Sequence, residues 1–338
     1  MNNLNKIEKC LIGSYSCPDI GAIYDYTSYY LKLVPDIDKI ELSESMIFGL
    51  GCGLSFNFEQ TNESTFRIST VNNIFFKDLL AHLNIKAWYK TEPDPELFLQ
   101  YIGDLLLKSQ PIVTFNLKAF DSYYEHLPIL LYSCNNEKNS FNAYDYYSNK
   151  HVSIGAKELI KACDFSKTNA SLSNFWFDIA LPEKIFPLEK CIKWAIVKNV
   201  QSMLYTPGNT RGLAGLKAFI SFLKNINKYP TEEFQSFIVH IKSVIKRNDN
   251  SSVANRGLFI DFLIQSKEIL KTNEINSVIE DFNKSQLEWE SLYNSILDIE
   301  KNYTQDISKK LEKACKHCEA IIEIEEKALN ILGGIMLS

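Results

Sequence analysis

Two periods of hydrophobic repetition divide the chain. From about residue 170 onward, apolar residues recur at spacings of three and four. Ile192, Ala195, Ile196 and Val200 share one face, as do Leu213, Leu216, Phe219, Ile220 and Leu223. Phe259, Phe262, Leu263 and Ile269 continue the pattern. Ile275, Val278, Ile279, Phe282, Trp289, Tyr293 and Ile296 form a longer stripe, and Leu311, Ile322, Ile324, Ala328 and Ile331 mark a last helix over roughly 305–332. Stripes of this period belong to helices that bury one side.

The first half mixes shorter elements. Asp19 to Leu33 reads as an aromatic-rich helix preceded by Pro18, a residue suited to a first helical position. Ser43 to Phe48 reads as a second helix start. Leu54 to Phe58 alternates as a strand does, and further strands are expected near 66–70, 85–89 and 111–115, with a helix at 95–108. A hairpin follows: Leu127 to Ser133 is one strand, Asn135 to Asn139 supplies turn chemistry, and Phe141 to Tyr147 returns. The fold class expected is α+β, with a mixed domain over 1–168 and an all-helical domain over 169–338.

Composition narrows the function. The 338 residues are 46% hydrophobic and 12% aromatic, enough for two domains with substantial cores. A net charge of −5 and the lack of a basic stripe argue against nucleic acid as a partner. Lys242, Lys246 and Arg247 read as a solvated helix end. No apolar run approaches the ~20 residues that cross a bilayer, and the stretch from Met1 to Cys10 is too polar for a signal peptide. A cytoplasmic protein without a membrane partner is expected. Its eight cysteines are then mostly free thiols. Cys315 and Cys318 form a lone CxxC around His317, without the second ligand pair of a zinc site or the following His of a haem site.

Three residues carry candidate chemistry. Cys17 stands at the start of the first long helix, where unpaired amides and a partial positive charge favour the thiolate. The other reading is a small buried hydrophobe, which position alone favours. His126 opens the first hairpin strand and Asp145 lies near the end of the second. A turn centred on Asn135-Asn136 sets 126 and 145 nearly opposite, so the carboxylate would orient the imidazole as in a nucleophile–base–orienter triad. The other reading is an edge-strand His and a surface Asp. His82 and His240 fall in helices, His151 in a loop after the hairpin, and His317 in the last helix. The Gly49-Leu50-Gly51-Cys52-Gly53 run lacks both the P-loop ending and the helix that follows a dinucleotide fingerprint. Its glycines permit tight turning or close packing near an active site. Cys52 is a rival nucleophile with no helix start behind it.

At these residues the chain resembles the acyltransferase family typified by butirosin biosynthesis protein H. The resemblance rests on Cys17 with its aromatic helix, Leu42-Ser43-Glu44, the run from Phe48 to Phe56, Glu125-His126, Ala143-Tyr144-Asp145 and Lys157 to Ala162. In the second half it rests on Gly212 to Ala218, Arg256 to Leu263, and Trp289. Closthioamide-type amide synthases look like the same family. The resemblance implies a papain-like N-terminal domain and a Cys17, His126, Asp145 triad. It implies transfer of an acyl group from an acyl or peptidyl carrier protein to a small amine, in antibiotic biosynthesis. No cofactor belongs to the chain itself, since the phosphopantetheine arm arrives on the donor. Papain-like enzymes carry an oxyanion-donating Gln shortly before the nucleophile; here Ser14, Tyr15 and Ser16 stand in that region. Arg256 is open to packing or to phosphate binding. Two other classes remain: a cysteine peptidase or amidase with the same triad, and a non-catalytic binding protein.

Overall fold

The computed structural model describes residue 15 and residues 17–34, 42–61, 65–72, 75–108, 110–116, 127–135, 139–146, 150–164, 173–206, 208–247, 251–301 and 306–337. In chain order the elements are α1 (Pro18–Leu31), α2 (Glu44–Leu50), β1 (Asn57–Gln60), β2 (Phe66–Ser69), α3 (Phe75–His82), β3 (Lys86–Thr91), α4 (Pro95–Leu107) and β4 (Ile112–Asn116). There follow β5 (Leu127–Asn135), β6 (Ser140–Asp145), β7 (Lys150–Gly155), α5 (Ala156–Cys163) and β8 (Phe175–Ala180). The helices α6 (Leu188–Leu204), α7 (Gly212–Leu223), α8 (Thr231–Ile245), α9 (Arg256–Leu270), α10 (Asn276–Lys301) and α11 (Ile307–Leu337) complete the chain.

These elements form two compact units that interleave in sequence. One comprises Met1–Leu42 and Asn84–Ile185, the other Ser43–Leu83 and Phe186–Ser338. A division at residue 168 follows the change in hydrophobic period, whereas the compact units place 43–83 with the C-terminal helices.

The first unit is built on the antiparallel sheet β4-β5-β6-β7. One sheet face meets α4 and α5. Phe98, Ile102 and Leu106, spaced by four on α4, pack with Ile129, Leu131, Phe141, Ala143, Leu159 and Trp176. Helix α4 starts where Asp94 accepts hydrogen bonds from the amides of Glu96 (2.8 Å) and Leu97 (3.2 Å), just before Pro95. Side chains alternate along β5, so the buried Leu130 and Tyr132 face the opposite side, where α1 packs. A separate ladder pairs β3 with β8, Lys86 opposite Ala180 through Thr91 opposite Phe175.

Two expectations are corrected here. Residues 175–180 are strand although they follow the point where a helical pattern was expected. His151 lies in β7, opposite Tyr144, and not in a loop.

The second unit packs the short β1–β2 hairpin and α2 and α3 among the six C-terminal helices. Of the expected strand at 54–58, only its last residues enter β1; Leu54 and Phe56 are buried in extended coil. A Cβ on Gly49, Gly51 or Gly53 would fall inside the rings of Phe262, Phe75 and Phe48 respectively. The glycine run is therefore a packing surface for aromatic rings of the second unit.

Candidate functional site

Cys17 is the N-cap of α1, with extended backbone (φ −121°, ψ 96°) and Pro18 at the first helical position. Its carbonyl accepts the first turn's hydrogen bond from the amide of Ile20 at 3.1 Å. The residue is fully buried. Thus Cys17 caps a 14-residue helix that lies against β5 and β4.

The same helix carries a group that sequence reasoning missed. Asp25 is buried, yet its Oδ2 accepts a hydrogen bond from the Tyr146 hydroxyl at 2.6 Å and its Oδ1 accepts another from the Tyr15 hydroxyl. Burial pushes its carboxyl up to about 6, against the two phenols and the charge of Lys32, which pull it down. The ring of Tyr146 fills the space that a Cβ on Gly21 would need. The Tyr15 ring packs tilted against Tyr24 (centroids 4.7 Å apart) and Tyr146 (5.9 Å). Because a phenol has one proton to donate, the Tyr15 hydroxyl is committed to Asp25 and does not stand in for an oxyanion-donating Gln.

Position 126 lies outside the described residues; β5 begins at the next residue, Leu127. Asp145 is the last residue of β6, half-buried, and pairs with Lys150 of β7. The hairpin register differs from the one expected. Leu130 stands opposite Tyr144 and Leu131 opposite Ala143; a bulge follows, after which Asn135 pairs with Ser140. Continuing the Leu130–Tyr144 register sets Asp145 level with Ile129, three residues along from 126.

The rivals are plainly placed. Cys52 is buried at left-handed φ (56°), and its Sγ lies 3.8 Å from the carbonyl of Ala195. Burial first, then the charge of Asp78, pushes its thiol far up, which disfavours the nucleophilic thiolate. Cys315 and Cys318 are buried in α11. Among the described residues no three His, Cys, Asp or Glu side chains gather as a metal site. Burial lowers His240 to about 4, keeping it neutral. His82 Nδ1 lies 2.7 Å from the Leu50 carbonyl and His317 Nδ1 lies 2.7 Å from Glu288. Among the described residues no helix is long and apolar enough to cross a membrane.

The structure assigns Arg256 to packing. Its side chain is fully buried and donates to both oxygens of Glu325 at 2.9 Å, and to the carbonyls of Ser55 and Ala254 at 3.0 Å. The guanidinium lies 4.8 Å from the centre of the Trp289 ring. Ser285 (2.7 Å) and the Trp289 indole (3.0 Å) complete the donors to Glu325. Fully buried and bound to a carboxylate and two carbonyls, it is not a phosphate site.

These features define a mixed α+β protein whose second compact unit is mostly helical and centred on a buried arginine–glutamate pair. The chain belongs to the family described as a domain of unknown function (DUF4872), whose model matches residues 157–332. No curated protein matches it. The matched span includes Arg256, Ser285, Trp289 and Glu325 but does not reach Cys17, His126 or Asp145.

Cys134 is the most exposed of the described cysteines, but burial of its sulfur raises its pKa. If the helix start activates Cys17, brief iodoacetamide treatment at neutral pH should modify Cys17 ahead of Cys134, as read by peptide mass mapping. Earlier modification of Cys134 or Cys52 would remove Cys17 as the nucleophile.

Proposed function

We propose that the chain is a cysteine-dependent acyltransferase with a papain-like N-terminal part. It moves an acyl group from a carrier-protein thioester to an amine in natural-product biosynthesis, in the cytoplasm. The observation that supports this most is the seat of Cys17. It caps a helix laid on an antiparallel sheet whose strand β5 begins just after His126 and whose strand β6 ends on Asp145. That is the arrangement a thiol nucleophile needs: amides and a helix end for the thiolate, and a sheet to present its base.

In the proposed reaction the Cys17 thiolate adds to the thioester carbonyl. The tetrahedral adduct collapses, the pantetheine sulfur leaves, and His126 returns a proton to it. The amine then adds to the Cys17 thioester while His126 takes its proton, and Cys17 leaves as thiolate. Asp145 orients His126 in this scheme.

The test offers an acyl-carrier thioester with and without a small amine and follows products by mass spectrometry. Amide formation with little free acid is the expected result. Holding the acceptor beside the thioester favours it over water by on the order of 7 kcal/mol in well-oriented cases. Rapid release of free acid despite abundant amine identifies a peptidase or amidase. A Cys17 inert to thioester and alkylating agent identifies a binding protein.

A further inference from the structure

Cys17 is closed in, so whatever fixes the chain around it governs how the thiol meets a substrate. The buried carboxylate of Asp25 binds two phenols, one on each oxygen, rather than an ammonium or guanidinium. Tyr15 lies two residues before Cys17, and Asp25 lies eight residues after it, on the helix that Cys17 caps. One carboxylate thus ties the segment before the cysteine to the helix behind it. Through Tyr146 the same carboxylate ties that helix to the turn leaving β6, and the Tyr146 ring lies in the notch at Gly21.

Packing alone does not account for a carboxylate here. Apolar residues of similar volume often serve stability as well as a buried charge does. What a hydrophobe cannot supply is two acceptor atoms that hold two separate chain segments at hydrogen-bond distance.

We propose that Tyr15, Asp25 and Tyr146 form a positioning clamp that sets the place of the Cys17 thiol. The inference rests on Cys17 being the nucleophile of the proposed function. Asp25 acts through Cys17 and touches no reacting atom.

The clamp is tightest with the carboxylate ionised. A protonated Asp25 exchanges two charge-assisted hydrogen bonds for neutral ones about half as strong, and one phenol must turn from donor to acceptor. The titratable groups that face it are Tyr15 from the preceding segment, Tyr146 and Tyr144 from the β6 region, and Lys32 at the end of its own helix. Burial raises the hydroxyls of Tyr144 and Tyr146, so both stay protonated donors at neutral pH. Asp25 alone of the group titrates near pH 6.

The experiment compares the full-length protein with Asp25→Asn and Tyr146→Phe. Tyr146→Phe keeps the ring in the Gly21 notch and removes only the donor, so it serves if Asp25→Asn fails to fold. Iodoacetamide modification of Cys17 is measured by mass mapping from pH 5 to 8, with Cys134 as internal reference, beside kcat and KM for acyl transfer. At pH 7.5 both variants should modify Cys17 about tenfold faster relative to Cys134, since a released thiol is exposed more often. In both, kcat should fall about tenfold with KM little changed. In the wild type the Cys17-to-Cys134 ratio should step upward as pH falls through about 6, and Asp25→Asn should lack that step. Wild-type ratios in both variants, or the same step in Asp25→Asn, overturn the clamp. Loss of the proposed transferase reading is seen separately, as a wild-type protein that forms no amide; the modification ratios then still decide the clamp.

Discussion

Replacing Glu325 by Gln should lower the free energy of unfolding by about 3–5 kcal/mol, the cost of leaving one member of a buried ion pair uncompensated. Stabilities of 5–15 kcal/mol are ordinary, so this is a large part of the total. Burial alone would push the Glu325 carboxyl up. The charge of Arg256, with hydrogen bonds from Arg256, Ser285 and Trp289, reverses this and holds it below its usual range. The amide of Gln offers one acceptor where Glu325 offers two, so Arg256 or its neighbours lose a partner. Arg256 also holds the carbonyl of Ala254, which with Asn255 sits in left-handed backbone at φ 50° and 58°. Such a residue costs on the order of 1–3 kcal/mol and persists only where its surroundings impose it.

The consequences for pH follow from the lowered pKa. The contribution of Glu325 is present above its unfolded value near 4.5 and is lost as pH falls through the lower folded value. Urea unfolding of wild type and Glu325→Gln should therefore differ most at neutral pH and converge in acid. A double variant, Arg256→Met with Glu325→Leu, should lose less than the two single changes added together. A Glu325→Gln protein as stable as wild type at pH 7 would show that the pair contributes nothing.

That network also shows where sequence reasoning stops. Arg256 was legible as a residue with either a packing or a phosphate role, and its buried partner decides between them. Glu325 lies 69 residues away on a helix that carries several other glutamates, and nothing local distinguishes it. Asp25 is hidden for the same reason, because Tyr146 is 121 residues distant. Local signals carried much further. Asp94-Pro95 and the four-residue spacing of Phe98, Ile102 and Leu106 announce α4, and Ser43 caps α2 by accepting from Met46 at 3.1 Å. Strand β8 escaped because Phe175 to Ala180 is a short apolar run whose partner, β3, is remote. Strand β7 escaped because its apolar face is only two residues, Val152 and Ile154, too short a run to signal a strand. The hairpin was legible as two strands and a turn, but its register was not. The bulge between Leu131 and Ser133 adds an irregularity that five turn-forming residues do not reveal. An odd displacement matters, since neighbouring positions on a strand face opposite sides.

That displacement makes the catalytic substitutions informative. Cys17→Ala should abolish covalent acyl-enzyme, with transfer reduced on the order of 10⁶-fold, as when a unit of nucleophile and base loses its nucleophile. Its melting temperature should stay near that of the wild type, since the change removes one sulfur from a buried site; a collapse in stability would make the loss of activity uninformative about chemistry. His126→Ala should be nearly as severe, because members of such a unit fail together. Asp145→Asn separates two possibilities. An aspartate that orients the imidazole is worth up to about 10⁴-fold when lost. One that merely ends β6 opposite Lys150 is worth little, since substitutions at half-exposed positions usually change stability by about 0.5 kcal/mol or less. A large loss in Asp145→Asn, with pH dependence altered in the same range as in the His126 variant, would place Asp145 in the triad. Full activity would assign it to the sheet edge and leave His126 with another orienter. Transfer at the wild-type rate by Cys17→Ala would end the nucleophile assignment itself, whatever the other two variants do.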